Sequence, residues 1–265
     1  MNEHKITTQT LRQMKQRGEK IASLTAYDFF TAKIMDEVGI ELLLVGDSLG
    51  MAVLGYENTL PVTMEEMLHH TRAVARAKPK ALIVGDMPFM SYTNVQQALE
   101  NAGRFIQAGA EAVKLEGGEP VIDQVRALVA NGIPVLGHIG LLPQSILETG
   151  GYKIQGRKPE TAERLLKDAK LLEQAGVFAI VVECTVADVA RKITESVKVP
   201  TIGIGAGPGC DGQVLVSNDM LGQFTWFTPK HVKRYANLTE EMRKAFADYK
   251  REVETGKFPG PEQSF

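Results

Sequence analysis

Residues 81–116 read ALIVGDMPFMSYTNVQQALENAGRFIQAGAEAVKLE. The stretch opens with an apolar run at 81–84 and closes with another at 112–115, as buried β-strands do. Between them, apolar residues recur at spacings of three and four from Val95 to Ile106, which is typical of a helix with one buried face. Residues 81–116 therefore predict a strand, a helix and a second strand.

The same alternation continues along nearly the whole chain. Further predicted strands cover 21–27, 42–45, 134–136, 179–182, 201–204 and 213–216, of which the last has the weakest signal. Repeated strand–helix units in 265 residues favour an α/β fold of the closed (β/α)8 TIM barrel type, with an open doubly wound sheet as the alternative. No linker interrupts the pattern, so we predict one domain over 1–265, with a closing helix at 239–254 and a tail at 256–265.

Several predicted helices carry signals for where they begin and end. A hydroxyl followed three residues later by an acid can satisfy the free N–H groups of a first turn, and glycine commonly follows a last turn. The predicted starts are Thr63 with Glu66 and Thr185 with Asp188, and the predicted ends are Gly109, Gly132 and Gly176.

Composition excludes several classes of function. A formal net charge of −2 without basic runs argues against nucleic acid and against an anionic membrane surface as partners. The two cysteines, Cys184 and Cys210, are too few for a disulfide framework or a thiolate metal site, which indicates a reducing compartment. No apolar run is long enough to span a membrane or to form a signal peptide. We therefore expect a cytoplasmic protein that acts on small molecules.

Polar side chains stand where the predicted strands end. They are Asp47 and Ser48, Asp86, Lys114 and Glu116, His138, and Glu183. In a (β/α)8 barrel the carboxyl ends of the strands form the active-site face. Lys114 and Glu116 are two positions apart on a strand, so both should point into the barrel while Val113 and Leu115 face the helices.

Each of these residues also has a structural interpretation. Asp47, Ser48 and Asp86 could cap helices, Lys114 and Glu116 could form an inert ion pair, and His138 could be a hydrogen-bonded core residue. Convergence of all of them on one end of a barrel favours a site instead. Carboxylates without thiolates suit Mg²⁺, whose charge would stabilise the enolate of a bound 2-oxo acid. The pattern predicts an enzyme that removes a proton beside the keto group of a small 2-oxo acid.

A series of motifs spans nearly the whole chain in order. They are Thr25-Ala26-Tyr27-Asp28, Val45-Gly46-Asp47-Ser48, Thr59-Leu60-Pro61-Val62-Thr63, Asp86-Met87-Pro88-Phe89-Met90, Val113-Lys114-Leu115-Glu116-Gly117-Gly118, Gly137-His138-Ile139-Gly140, Gly150-Gly151-Tyr152-Lys153, Glu183-Cys184 and Ile202-Gly203-Ile204-Gly205-Ala206-Gly207. With them the sequence resembles the ketopantoate (3-methyl-2-oxobutanoate) hydroxymethyltransferase family.

The resemblance implies a Mg²⁺-dependent barrel that moves a one-carbon unit from 5,10-methylenetetrahydrofolate to 3-methyl-2-oxobutanoate, giving 2-dehydropantoate for pantothenate and coenzyme A. By the resemblance, Asp47, Asp86 and Glu116 are metal ligands, and Asp47, Ser48, Asp86 and Lys114 contact the 2-oxo acid. His138 lines the same pocket and Glu183 is the proton acceptor. The resemblance also implies a homo-oligomer, a decamer of two stacked pentameric rings.

Three other functional interpretations compete. A magnesium-dependent lyase of the phosphoenolpyruvate mutase and isocitrate lyase type would use a similar barrel and cleave a C–C bond without folate. A barrel that only binds a small acid or serves as a scaffold would leave the polar strand ends inert. Residues 203–209 are rich in glycine, but no frame gives the spacing of a dinucleotide-binding loop, and we predict a loop at the barrel mouth.

Overall fold

The computed structural model describes residues 4–223 and 229–265. In the described part up to Leu215, each strand pairs in parallel with the next, and the last pairs with the first to close a barrel. The strands are β1 (Ile21–Thr25), β2 (Leu42–Val45), β3 (Leu82–Asp86), β4 (Ala112–Glu116), β5 (Val135–Gly140), β6 (Ala179–Glu183), β7 (Thr201–Ile204) and β8 (Gly212–Leu215). The (β/α)8 barrel prediction is confirmed, including its weakest strand, and the open-sheet alternative is wrong.

Helices alternate with these strands. They are α1 (Thr8–Arg17), α2 (Phe29–Glu37), α3 (Leu49–Ala52), α4 (Met64–Arg76), α5 (Val95–Ala108), α6 (Ile122–Ala130), α7 (Ile146–Thr149), α8 (Pro159–Ala175) and α9 (Ala187–Ser196). Helices α3 and α7 are single short turns at the ends of β2 and β5, and nothing in the hydrophobic spacing had indicated them.

Alternate strand residues separate two apolar cores. Ile83 and Val113 belong to a cluster between the sheet and the helices. Leu82, Val84 and Ala112 belong to a second cluster that fills the barrel interior. Because side chains alternate along a strand, this division fixes which residues point into the barrel. Lys114 and Glu116 share the interior face with Ala112, as predicted.

Helix α1 lies across the amino ends of the strands. Its buried Leu11 and Met14 join the interior cluster. The Arg12 guanidinium donates to the carbonyl of Val177, just before β6, and Lys15 Nζ donates to the carbonyl of Val199, just before β7. Helix α1 therefore closes the end of the barrel opposite the predicted site.

A second compact unit begins at Val216 and is described by itself. It contains α10 (Ser217–Met220), α11 (Leu238–Glu254) and a 3₁₀ turn at Pro261–Gln263. Helix α11 matches the predicted closing helix. The prediction of one domain over 1–265 stays a prediction.

The helix-end signals were right except at one site. Thr63 and Glu66 form a reciprocal cap, and Gly109 and Gly176 end their helices in the left-handed conformation. Gly132 lies two residues beyond the end of α6, after Asn131, and also has a positive φ, of 79.

The predicted cap of Thr185 with Asp188 is wrong. Helix α9 begins at Ala187, and no side chain caps it at Val186. The Thr185 hydroxyl donates instead to the Glu183 carbonyl at 2.9 Å. The Val186 N–H is occupied by the carbonyl of Gln155, a residue remote in sequence.

Within the described residues, no helix has both the length and the apolar character needed to cross a membrane. The cytoplasmic location stays a prediction.

Candidate active site

The barrel interior changes from apolar to charged towards the carboxyl ends of four neighbouring strands. The interior residues run Leu82, Val84, Asp86 in β3; Ala112, Lys114, Glu116 in β4; Leu136, His138 in β5; and Ala179, Val181, Glu183 in β6. Strand register places Asp86 beside Lys114 and Glu116 beside His138. The predicted residues of these strands therefore converge at one end of the barrel.

Lys114 lies at the centre of this cluster. Its Nζ is 2.8 Å from Asp86 Oδ1, 3.8 Å from Glu116 Oε1 and 3.2 Å from His138 Nδ1. Burial disfavours the charged amine, but the surrounding carboxylates outweigh burial and raise the pKa of Lys114 above its usual value. Lys114 therefore keeps its positive charge although it is buried.

His138 connects Lys114 and Glu116 to Glu183. Its Nδ1 lies 3.5 Å from Glu116 Oε1 and its Nε2 lies 3.2 Å from Glu183 Oε2, at an angle short of an aligned hydrogen bond. Burial and Lys114 oppose protonation, but Glu116 and Glu183 outweigh them and raise the pKa of His138 to about 9. The ring is therefore protonated at neutral pH, with one carboxylate beside each of its nitrogens.

Glu183 is the most exposed acid of the cluster. Its side chain is 16% exposed, whereas those of Asp86 and Glu116 are 2% and 3% exposed. The carboxylate therefore borders the opening, where a substrate can reach it.

A tight backbone approach sets the direction of Glu183. Gly140 ends β5 with φ +100, and a Cβ placed on it would lie 2.2 Å from the Glu183 carbonyl oxygen. The chain then turns through Cys184, whose φ of 43 is left-handed. Only glycine fits the first position, because any side chain would push the end of β6 away.

Asp47 and Ser48 enter from the turn after β2. The Asp47 N–H donates to Asp86 Oδ2 at 3.2 Å, and Asp47 Oδ2 accepts from Gln144 Nε2 at 2.9 Å. Ser48 Oγ lies 2.9 Å from the Tyr27 hydroxyl. Asp47 is thus part of the buried cluster, and Ser48 stands beside it.

The helix-capping interpretation of these residues is wrong. Ser48 precedes α3 without a side-chain capping bond. The capping side chains of α2, α4 and α5 are Asp28, Thr63 and Asn94. Asp47, Ser48 and Asp86 therefore cap none of these helices, and their side chains belong to the cluster or lie beside it.

Negative charge in the cluster is incompletely balanced. Burial, then the charges of Asp86 and Glu116, raise the pKa of Asp47 well above its usual range. Burial also raises the pKa of Asp86, against the opposing effect of Lys114. For Glu116, contacts with His138 and Lys114 outweigh burial and lower the pKa. Asp47 and Asp86 are therefore the acids whose negative charge is least compensated by neighbouring groups.

The donor set fits a hard cation. The acids supply only oxygen donors, and Asp86 Oδ1 has an ion contact with Lys114 but no hydrogen-bond partner in the described part of the chain. Among residues 4–223 and 229–265, no three His, Cys, Asp or Glu side chains form a group that could by itself hold a metal ion. Mg²⁺ commonly uses one or two carboxylates and keeps several waters, so it requires no such group.

Comparison with known proteins identifies the family. A family model described as ketopantoate hydroxymethyltransferase matches residues 5–261. The chain belongs to the ketopantoate hydroxymethyltransferase family. One relative is the 3-methyl-2-oxobutanoate hydroxymethyltransferase of Syntrophus aciditrophicus (strain SB), 57% identical over 263 residues, which are 98% of this chain and 97% of the relative. The enzyme of that name from Moorella thermoacetica (strain ATCC 39073 / JCM 9320) is 56% identical over 263 residues, covering 98% of each chain. As a member of the ketopantoate hydroxymethyltransferase family, the chain is a transferase.

Solved structures of other activities share the fold with this ketopantoate hydroxymethyltransferase family member. A phosphonopyruvate hydrolase in complex with oxalate and Mg²⁺ matches with a TM-score of 0.64 at 15% identity, covering 97% of this chain and 92% of that chain. A 2,3-dimethylmalate lyase of the PEP mutase/isocitrate lyase superfamily matches with a TM-score of 0.63 at 17% identity, covering 96% and 92%. At these identities the likeness shows the fold alone.

Three further residues near the cluster were not among the predicted site residues, although Tyr152 lies in one of the quoted motifs. Gln144 and Tyr92 join the buried network, with the Tyr92 hydroxyl 2.6 Å from Gln144 Oε1. Tyr152 is exposed, and partial burial followed by the charges of Glu183 and Asp47 raises the pKa of its phenol. All three lie on loops that follow barrel strands, where position alone could have marked them for attention.

Proposed function

We propose that the chain transfers a one-carbon unit from 5,10-methylenetetrahydrofolate to 3-methyl-2-oxobutanoate in a Mg²⁺-dependent reaction, in which water supplies the hydroxyl group, tetrahydrofolate leaves and 2-dehydropantoate forms. The observation that carries this proposal is the buried cluster of Asp47, Asp86, Lys114 and His138, bordered at the opening by Glu183. Such a cluster can bind a small acid on one side and remove a proton on the other.

Binding of the 2-oxo acid falls to the charged floor of the cavity. Lys114 supplies a positive charge, because its raised pKa keeps it protonated through the physiological range. Ser48 lies at the rim beside Asp47 and can donate to a substrate oxygen when its hydroxyl turns from Tyr27. His138 lines the wall between Lys114 and Glu183. These residues orient the keto acid with its branch-point carbon towards Glu183.

Glu183 is the proposed proton acceptor. It removes the proton from the branch-point carbon, which then forms the new bond to the one-carbon unit. His138 helps to keep the carboxylate in place, because its Nε2 lies 3.2 Å from Glu183 Oε2.

Asp47, Asp86 and Glu116 would hold Mg²⁺. When bound, the ion supplies positive charge for the negative charge that develops on the keto oxygen. The raised pKa values of Asp47 and Asp86 support this assignment, because a cation relieves the repulsion that burial leaves uncompensated.

Proton exchange tests the proposal before folate is added. The full-length protein is incubated in D₂O with 3-methyl-2-oxobutanoate and Mg²⁺, and the branch-point C–H signal is followed by NMR. We expect the signal to disappear, to persist with a chelator, and to decay about 10²–10⁴-fold more slowly in Glu183→Gln. The matched control is Glu119→Gln, which removes an exposed acid paired with Lys167.

Product formation tests the transfer itself. We expect 2-dehydropantoate only after 5,10-methylenetetrahydrofolate is added. Equal exchange rates in Glu183→Gln and wild type would remove Glu183 from the mechanism. Folate-independent C–C cleavage of the added 2-oxo acid would favour a lyase, and ligand binding without exchange would favour a non-enzymatic role.

We also propose that the chain forms a homo-oligomer, namely the decamer that the family resemblance implies. Support comes from α2 and the residue that follows it. Phe30 and Ile34 of α2 and Val38 just after it form an exposed apolar stripe at helical spacing. Light scattering after size-exclusion chromatography measures the subunit number. A monomer at micromolar concentration would refute the proposal.

A further inference from the structure

Gln144 is a buried amide that contacts two acids, one in the turn after β2 and one at the end of β4. It lies in the 3₁₀ turn Pro143–Ser145 after β5 and is 6% exposed. Its side-chain Nε2 donates to Asp47 Oδ2 at 2.9 Å, and its backbone N–H donates to Glu116 Oε2 at 3.0 Å. One residue therefore sets the direction of two of the acids assigned to the metal.

Neighbouring groups allow only one orientation of the Gln144 amide. Nε2 also donates to the Met87 carbonyl at 3.0 Å, and a carbonyl can only accept. Flipping the amide would place Oε1 against both this carbonyl and the Asp47 carboxylate. The two hydrogens of Nε2 are therefore committed to Met87 and Asp47, and the carboxylate accepts a charge-assisted bond.

Tyr92 holds the other end of the amide. Its hydroxyl donates to Gln144 Oε1 at 2.6 Å and lies 3.4 Å from the Glu116 backbone N–H, which donates to it. Because Oε1 can only accept, the phenol O–H is the donor of this bond. The chain of bonds from Glu116 through Tyr92 and Gln144 to Asp47 leaves the amide no alternative partner.

We propose that Gln144 is a positioning residue for the metal site: it fixes the Asp47 and Glu116 carboxylates in the arrangement that receives Mg²⁺ without coordinating the ion. This inference rests on the proposed function. Groups that orient metal ligands commonly contribute as much to affinity as a weak ligand does, and their loss costs about 10–100-fold in metal affinity. Gln144 acts on ligands from two separate elements, so its loss should weaken binding within that range.

Calorimetric titration of the metal-stripped full-length protein with MgCl₂ measures the effect directly. Gln144→Met keeps the side-chain length, removes the Nε2 donor to Asp47 and leaves the backbone N–H that donates to Glu116, and we expect it to weaken Mg²⁺ binding about 10–100-fold. Tyr92→Phe keeps the ring and removes the hydroxyl that donates to Oε1 and accepts the long bond from the Glu116 N–H, and it should weaken binding less than Gln144→Met, because the Nε2 bond to Asp47 remains. The control is Gln124→Met, because Gln124 donates to the Tyr92 carbonyl at 3.1 Å but has no hydrogen bond to an acid.

Thermal melting in EDTA separates positioning from folding. A purely structural role would lower the melting temperature of all three variants while leaving the Mg²⁺ dissociation constant within about twofold of wild type, and that result would overturn the inference. If Gln144→Met bound Mg²⁺ more tightly than wild type, that result would also overturn the inference, because the amide would then compete with the ion for the Asp47 carboxylate. No binding by wild-type protein would refute the metal-dependent function and this inference together, whereas normal wild-type binding with unchanged variants would refute the inference alone.

Discussion

At the scale of single residues, the imbalance of charge around Asp47 gives the metal-free protein a defined pH dependence. Burial first, and neighbouring acids second, raise the pKa of Asp47 in the folded state. The pKa of His138 is also raised, from 6.5 to about 9. A group whose folded pKa is raised contributes stability that is fully present below its unfolded pKa and is lost as the pH rises through the folded pKa. Both groups therefore destabilise the metal-free fold as the pH increases.

Magnesium should reverse this trend, because it binds the ionised carboxylates. We expect the melting temperature in EDTA to fall between pH 6.5 and about pH 9. We expect the gain on adding Mg²⁺ to grow over the same interval. Scanning calorimetry at several pH values measures both. In Asp47→Asn the gain should be lost, and a gain independent of pH in the wild-type protein would contradict the assignment of the acids to the metal.

Lys114 balances the buried acids, so its removal should be costly. In Lys114→Met, Asp86 loses its ion partner at 2.8 Å and Glu116 keeps only His138, and breaking a buried pair in this way costs about 3–5 kcal/mol. Urea unfolding in EDTA measures the loss. Lowering the pH should reduce it, because Asp86 can then take up a proton.

The exposed pair of Lys167 with Glu119 provides the comparison for Lys114. Lys167→Met should cost less than about 1 kcal/mol, because water screens that contact. Equal losses in the two variants would show that Lys114 carries no special electrostatic role.

At the scale of elements, the contact between the ends of β5 and β6 aligns Glu183. In Gly140→Ala the new methyl group meets the Glu183 carbonyl oxygen, and if Glu183 is the proton acceptor as proposed, a displacement of its carboxylate near 1 Å should cost about 100-fold in rate. Gly151→Ala is a matched control, because Gly151 also has a positive φ, of +116, but has no atom within 4 Å of an added Cβ. Both variants therefore place a side chain at a position with positive φ, but only Gly140→Ala also brings that side chain against the end of β6.

Steady-state turnover and melting temperature together decide the effect of Gly140→Ala. We expect turnover to fall far more in Gly140→Ala than in Gly151→Ala, with smaller differences in melting temperature. Similar turnover in the two variants would show that the approach of β5 to β6 does not position Glu183.

Local sequence patterns predicted the elements where neighbouring residues determine them. The two-residue period of β4 placed Lys114 and Glu116 inside the barrel, and the cap at Thr63 followed from a residue three positions away. The prediction for β5 stopped at residue 136, whereas the strand continues to Gly140, because its glycines mimic a turn. The predicted cap at Thr185 was wrong because the Val186 N–H already donates to the carbonyl of Gln155, a residue remote in sequence. Gln144 was missed for the same reason, since its partner Asp47 is 97 positions away.

At the scale of the whole barrel, stability and chemistry occupy opposite ends. The interior is apolar from the amino ends of the strands up to Val84 and Val181, and it becomes charged only beyond them. The apolar layer keeps water from the base of the charged cluster, which strengthens its electrostatic interactions. It also means that changes at the base should affect folding before they affect the site.

Helix α1 offers a test of this separation, because Leu11 is completely buried against the base of the barrel. Leu11→Ala should cost about 2–5 kcal/mol in urea unfolding, since it removes buried methyl groups and leaves a cavity. Gln13→Ala, on the exposed face of the same helix, should change stability by less than about 0.5 kcal/mol. At a temperature where Leu11→Ala remains folded, we expect its Mg²⁺ affinity and its rate of C–H exchange to equal those of wild type. A loss of either would show that the base of the barrel is coupled to the acids at its mouth, and that the apolar layer transmits strain instead of isolating the site.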